Sequence, residues 1–121
     1  LVYTGQHSET FEALERVFGV RQAPDNLVPG NESDTAHGLF GWSLRFLWVS
    51  LGRIRKGAWR DARWGVVHGD TMSALLGALV FRLSGIGVAH VEAGLRSPRL
   101  WSSFPEEIIR RLISRMASLH F

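Results

Sequence analysis

Residues 64–91 read WGVVHGDTMSALLGALVFRLSGIGVAHV, and the order of elements in that stretch decides the fold. Trp64 to His68 is a short strand whose centre, Gly65-Val66-Val67, is continuously apolar, as a parallel strand buried on both faces should be. Gly69-Asp70-Thr71 turns the chain into a helix from about Met72 to Leu83. Ser84-Gly85-Ile86-Gly87 interrupts the apolar run, and Gly87 to Val91 forms the next strand. A strand, a helix and a second strand in this order imply a right-handed crossover and a parallel sheet carrying helices on its faces. The stretch also raises a membrane reading, because Thr71 to Val91 is almost long enough to span a bilayer. Arg82 inside it, the Ser-Gly-Ile-Gly break and the lack of flanking aromatic or basic belts argue against a span. A buried helix followed by a buried strand accounts for the run, and no membrane partner is expected.

Working outward, Leu1-Val2-Tyr3 reads as the end of a strand and Thr4 to His7 as the turn after it. Ser8 is placed to cap a helix carrying Phe11, Leu14, Val17 and Phe18 on one face, ended by Gly19. Arg21 to Asp34 holds two prolines, a glycine and several Asn, Asp and Ser residues, so it reads as a loop. A long amphipathic helix is expected from about Thr35 to Lys56, with Leu39, Phe40, Leu44, Leu47, Trp48, Leu51 and Ile54 as its apolar face. Beyond Val91, Glu92 to Ser103 is an irregular loop. Pro105 sits at the first position of a helix to about Met116, and Ala117 to Phe121 begins one more strand. The expected fold class is α/β, a parallel sheet with flanking helices. Both termini fall inside apolar runs, and Leu1 is not an initiator Met, so the sequence reads as a piece of a larger protein.

The absence of cysteine excludes a disulfide framework and a thiolate zinc site. The net charge of +3 comes with 13 arginines against a single lysine, Lys56. Arg53, Arg55, Lys56, Arg60 and Arg63 cluster with Trp59 and Trp64, yet no recognition fold or RNP-like motif accompanies them. They read as a solvated face, and no nucleic-acid partner is expected.

Ligands of open parallel sheets bind beyond the carboxyl ends of the strands. That rule lines up Gln6-His7, Asp70 and Glu92 along one edge, each directly after an expected strand. Asp70 can be read as a helix cap, and Glu106 and Glu107 as charges that complement a helix N-terminus. Glu92, before a glycine-containing loop, has no capping role. Two acids leaving neighbouring strands, with Glu106 opening a nearby helix, point to a shared carboxylate site. Crowded carboxylates suit proton chemistry, since some then exist as acid and some as base near neutral pH. The helix starts after Gly69 and Ser103 could hold phosphate oxygens at the same time. His7, His68 and His90 also lie at strand ends and read as hydrogen-bonded turn or core residues. No histidine pair has helical ligand spacing, so no metal is expected. The sequence lacks G-x-G-x-x-G, a P-loop and G-x-S-x-G, which argues against a nicotinamide cofactor, an NTPase and a serine hydrolase.

Four runs appear in order along the chain: Tyr3-Thr4-Gly5-Gln6-His7-Ser8-Glu9, Val67-His68-Gly69-Asp70-Thr71, Val88-Ala89-His90-Val91-Glu92-Ala93-Gly94-Leu95-Arg96 and Phe104-Pro105-Glu106-Glu107. Together they resemble the UDP-N-acetylglucosamine 2-epimerases of the non-hydrolysing type. The resemblance implies a GT-B-like enzyme with the nucleotide sugar between two Rossmann-like domains. Residues 1–121 would be part of the first domain, and the C-terminal nucleotide-binding domain would lie outside this sequence. It further implies interconversion of UDP-N-acetylglucosamine and UDP-N-acetylmannosamine by elimination and re-addition of UDP, without a cofactor. By the same resemblance Asp70, Glu92 and Glu106 match the catalytic carboxylates, with Gly69, Thr71 and Arg110 as further substrate contacts. Gln6 and His7 match a region that touches a second UDP-N-acetylglucosamine acting as activator.

Two departures stand out: no Arg-Gln pair accompanies Gly30-Asn31, and Ile109 stands where the family usually has Asn. The implied setting is a cytoplasmic homodimer serving cell-envelope polysaccharide biosynthesis, with residues 1–121 alone expected to be inactive. The hydrolysing branch, a non-catalytic epimerase-like module and a GT-B glycosyltransferase are the competing readings.

Overall fold

The computed structural model describes residues 2–3, 25–28, 35–94 and 104–121. In chain order the elements are β1 (Val2–Tyr3), β2 (Asp25–Asn26), α1 (Ala36–Arg55), β3 (Trp64–His68), α2 (Met72–Leu83), β4 (Gly87–Val91), α3 (Glu106–Met116) and β5 (Leu119–His120). They fall into two compact units, Leu1–Gly52 and Arg53–Phe121.

The second unit is a three-stranded parallel sheet in the order β3-β4-β5, with α2 and α3 as its crossovers. The bounds of β3, α2 and β4 coincide with those expected from the sequence, because strong punctuation brackets each. Thr71, in extended conformation, caps α2 by accepting from the Ala74 N–H at 3.2 Å. The cap is therefore Thr71 and not Asp70, whose carboxylate is left for other work. At the other end Gly85 is left-handed (φ 73°). Its N–H donates to the Arg82 carbonyl and that of Ile86 to the Phe81 carbonyl, the paired bonds of a Schellman stop. Helix α3 starts one residue later than expected, with Pro105 at the cap position.

The core of this unit joins Val67 and Val88 from the sheet to Ala74 and Ala78 from α2 and Ile109 and Ile113 from α3. Val67 and Val88 lie on one sheet face, so both helices cover that face. The alanines let α2 lie close to the strands, and Gly65 carries this further. A Cβ at Gly65 would stand 2.3 Å from the Phe81 ring. Gly65→Ala is accordingly expected to cost about 1–3 kcal/mol through displacement of that ring, measured as a lowered Tm of the full-length protein. An unchanged Tm would show that Phe81 repacks freely.

The opposite face departs from expectation. Trp64, Val66 and His68 are exposed, Val66 at 67%, so β3 alternates instead of being buried on both sides. Strands β3, β4 and β5 are added in one direction, which puts both crossovers on one side.

In the first unit β1 pairs parallel with β2, Val2 opposite Asp25 and Tyr3 opposite Asn26. Strand β2 lies inside the stretch read as a loop. Two residues held by backbone pairing leave no side-chain period to detect, although the adjacent Leu27 and Val28 are buried. Helix α1 begins after Thr35, whose hydroxyl accepts from the Gly38 N–H at 3.2 Å. Its buried stripe is Trp42, Phe46 and Ser50, with the Trp42 and Phe46 rings 5.5 Å apart. The expected apolar face is wrong here: Phe40, Leu44, Trp48 and Leu51 are exposed. This helix is apolar nearly all round, so periodicity could not select the buried side. The expected helix after Ser8, the residues Gln6 and His7, and most of the Glu92–Ser103 loop lie outside the described residues. Among the described residues no helix is long and apolar enough to cross a membrane.

Candidate active site

Strands β3 and β4 run in register from Trp64 opposite Gly87 to His68 opposite Val91. Both therefore end at one edge, and Gly69-Asp70 and Glu92 emerge there side by side. Gly69 is left-handed (φ 71°) and its N–H donates to the Val91 carbonyl at 3.1 Å. That conformation is cheap only for glycine. A Cβ on Gly69 would come within 3.8 Å of Glu92 Oε2, so the Glu92 carboxylate lies close above the turn that carries Asp70. Glu92 is itself left-handed (φ 65°). For a residue with a Cβ this stores on the order of 1 kcal/mol. Its Oε1 faces His68 Nε2 at 3.3 Å, with the His68 side chain 68% and the Glu92 side chain 47% exposed. A pair so open to water adds little stability and stays accessible to a ligand.

Below this edge His90 is fully buried, with Nε2 2.8 Å from the Gly69 carbonyl and Nδ1 3.3 Å from Ser114 Oγ. A carbonyl only accepts, so the proton belongs on Nε2, and Nδ1 can take the Ser114 hydroxyl. His90 is thus the hydrogen-bonded core histidine that the sequence suggested, and it fixes the peptide leading into Asp70.

Asp70 is the start of an ion-pair chain. Arg110 Nη2 donates to Asp70 Oδ2. Arg110 Nη1 donates to Glu107 Oε2 at 2.9 Å, and Arg111 Nε to Glu107 Oε1 at 2.9 Å. Glu107 is fully buried. Arg110, a substrate contact by the resemblance, balances the charge of Asp70 here. Glu107 was read only as a charge at a helix start. Its spacing of three and four residues from Arg110 and Arg111 was the available signal, one that usually means a surface pair.

Glu106 is exposed on the first turn of α3, and among the described residues no hydrogen bond or ion pair joins it to Asp70 or Glu92. The structure therefore sets two of the three expected residues, Asp70 and Glu92, on neighbouring strand ends, and ties α3 to Asp70 through Arg110, which Glu107 also holds. Thr71 spends its hydroxyl on Ala74 and on Ser73 Oγ at 2.9 Å. Ile109 is a buried core residue, so the side chain there packs inward. Among the described residues no cluster of three or more His, Cys, Asp or Glu could hold a metal ion.

Two carboxylate residues on neighbouring strand ends, Asp70 paired with a guanidinium and Glu92 beside an imidazole, are of the kind that can take and return protons from a ligand at the sheet edge.

A sequence profile for UDP-N-acetylglucosamine 2-epimerase matches residues 1–121. A candidate UDP-N-acetylglucosamine 2-epimerase of Thermotoga maritima is 50% identical over 119 residues, which is 98% of this chain and 29% of that protein. The Campylobacter jejuni UDP-N-acetylglucosamine 2-epimerase is 31% identical over 121 residues, again 98% of this chain and 29% of the relative. Among solved structures, the UDP-GlcNAc 2-epimerase from Neisseria meningitidis bound to UDP-GlcNAc superposes with a TM-score of 0.72 at 29% identity. That match covers 96% of this chain and 30% of the other. The chain thus spans about three tenths of the length of the proteins it matches.

Proposed function

The chain belongs to the UDP-N-acetylglucosamine 2-epimerase family, and from that membership we propose that it forms part of the first Rossmann-like domain of a GT-B-like, two-domain isomerase. The whole enzyme would interconvert UDP-N-acetylglucosamine and UDP-N-acetylmannosamine. The observation that carries this reading is the emergence of Asp70 and Glu92 from adjacent ends of parallel strands, with Glu92 poised over Gly69.

No carbonyl acidifies the C2 proton of the sugar, so its removal must be coupled to departure of UDP. A base takes the proton from C2, the C–H electron pair forms the C1–C2 double bond, and the C1–O bond breaks with its pair leaving on UDP. Return of a proton to the opposite face of C2, with UDP re-adding at C1, gives the epimer. Removal on one face and return on the other calls for more than one acid/base group. Asp70 and Glu92 supply two from the strand edge, and Glu106 is the third by resemblance. Gly69, Thr71 and Arg110 are the accompanying substrate contacts. Thr71 then contributes through the start of α2, since its hydroxyl caps that helix. Gln6 and His7 would contact a second UDP-N-acetylglucosamine acting as activator. The same membership supports a cytoplasmic homodimer that supplies UDP-N-acetylmannosamine to cell-envelope polysaccharide synthesis.

Product analysis tests the proposal. Full-length enzyme incubated with UDP-N-acetylglucosamine should yield UDP-N-acetylmannosamine with no net release of UDP. Free N-acetylmannosamine and stoichiometric UDP would instead assign the hydrolysing branch, and an unchanged substrate pool would reject both.

A further inference from the structure

We propose that Glu107 is a positioning residue: it holds the Arg110 guanidinium so that its second terminal nitrogen meets Asp70. The reaction this serves is the epimerisation proposed above, whereas the clamp itself is a feature of the fold.

Burial of Glu107 needs a reason beyond stability. A carboxylate loses its hydration when buried, and a buried ion pair is seldom more stabilising than apolar side chains of the same volume. The residues packed nearby on α3, Ile109 and Ile113, are of that apolar kind. Complementing the positive end of α3 does not require burial either. Glu106, one residue earlier and exposed, already places a negative charge there.

What burial does provide is direction. Each Glu107 oxygen takes a different arginine, Oε2 from Arg110 Nη1 and Oε1 from Arg111 Nε, both at 2.9 Å. A guanidinium is planar and rigid, so pinning Nη1 sets where Nη2 points. Nη2 points to Asp70 Oδ2, across from α3 to the turn after β3. Arg110 is only 12% exposed, so it has little room to swing away. Glu107 thereby fixes one oxygen of Asp70, Oδ2, through an intermediary. A lysine at position 110 could not do this, because an ammonium has no fixed second nitrogen.

Two measurements on the full-length enzyme test the clamp. In the wild-type protein, NMR of the arginine guanidinium groups should show slow rotation and individually resolved Nη signals for Arg110, against averaged signals for exposed Arg115. Averaging at Arg110 would overturn the proposal without any variant or any turnover. In kinetics, Glu107→Gln should lower kcat by up to about 100-fold, the scale of a slightly misplaced catalytic group, with KM nearly unchanged. Glu107→Gln combined with Arg110→Lys should be no slower than Arg110→Lys alone. Added guanidinium should restore activity to Arg110→Ala but not to Arg110→Ala combined with Glu107→Gln. Additive losses, or equal rescue of both, would overturn the clamp while leaving the epimerase reading in place. If the wild type turns over no UDP-N-acetylglucosamine, the functional reading fails and the guanidinium rotation alone decides for or against the clamp.

Discussion

Asp70→Asn in the full-length enzyme is expected to lower kcat by roughly 10²–10⁴-fold, the range for loss of an acid/base group. Stability should change far less. Asparagine has the same shape and keeps an oxygen that can accept from Arg110 Nη2, so the contact loses its charge assistance but survives as a hydrogen bond. That difference is worth about 1 kcal/mol, or a few degrees in Tm for a large domain. Glu107 remains to pair Arg110, so no guanidinium is left uncompensated. The variant thus separates chemistry from folding. A collapse in Tm together with activity would mean that Asp70 holds the turn together and does little else. Near-normal kcat would remove it from the proton chemistry altogether.

Much of this arrangement was legible in the sequence, for physical reasons that differ by element. Helix α2 and its flanking strands were placed correctly because Thr71, Ser84-Gly85 and Gly87 are strong local signals, and the local signal and the tertiary fold agree. The strand-end rule for parallel sheets then places Asp70 and Glu92 at one edge from the sequence alone. Helix α1 failed because Phe40, Trp42, Leu44, Phe46 and Trp48 present apolar surface on every side, and what decides burial there is packing rather than pattern. Strand β2 failed because two residues carry no period. Glu107 failed for a subtler reason. The same three- and four-residue spacing to arginine describes an exposed helix surface and a buried clamp, and only the depth of α3 against the sheet tells them apart.

The backbone of Glu92 allows a test in which function and stability should move independently. At φ 65° a residue with a Cβ is held against its preference, and a glycine would sit there without strain. Glu92→Gly removes on the order of 1 kcal/mol of strain, offset by a comparable entropy gain in the unfolded chain. The exposed contact to His68 adds little to be lost. Stability should therefore stay within about 1 kcal/mol of wild type. Turnover should nonetheless fall by at least the roughly 10²–10⁴-fold expected for Glu92→Gln, which keeps the strain and the shape and removes only the titratable oxygen. A strained conformation retained where glycine would be free is what a functional side chain requires and a structural one does not. The pair of variants puts that to measurement: equal loss of kcat in both, with Tm unchanged, assigns the carboxylate itself. If Glu92→Gln retains full activity, the carboxylate is not the working group, and if Glu92→Gly also unfolds the domain, residue 92 serves the turn after β4 rather than the sugar.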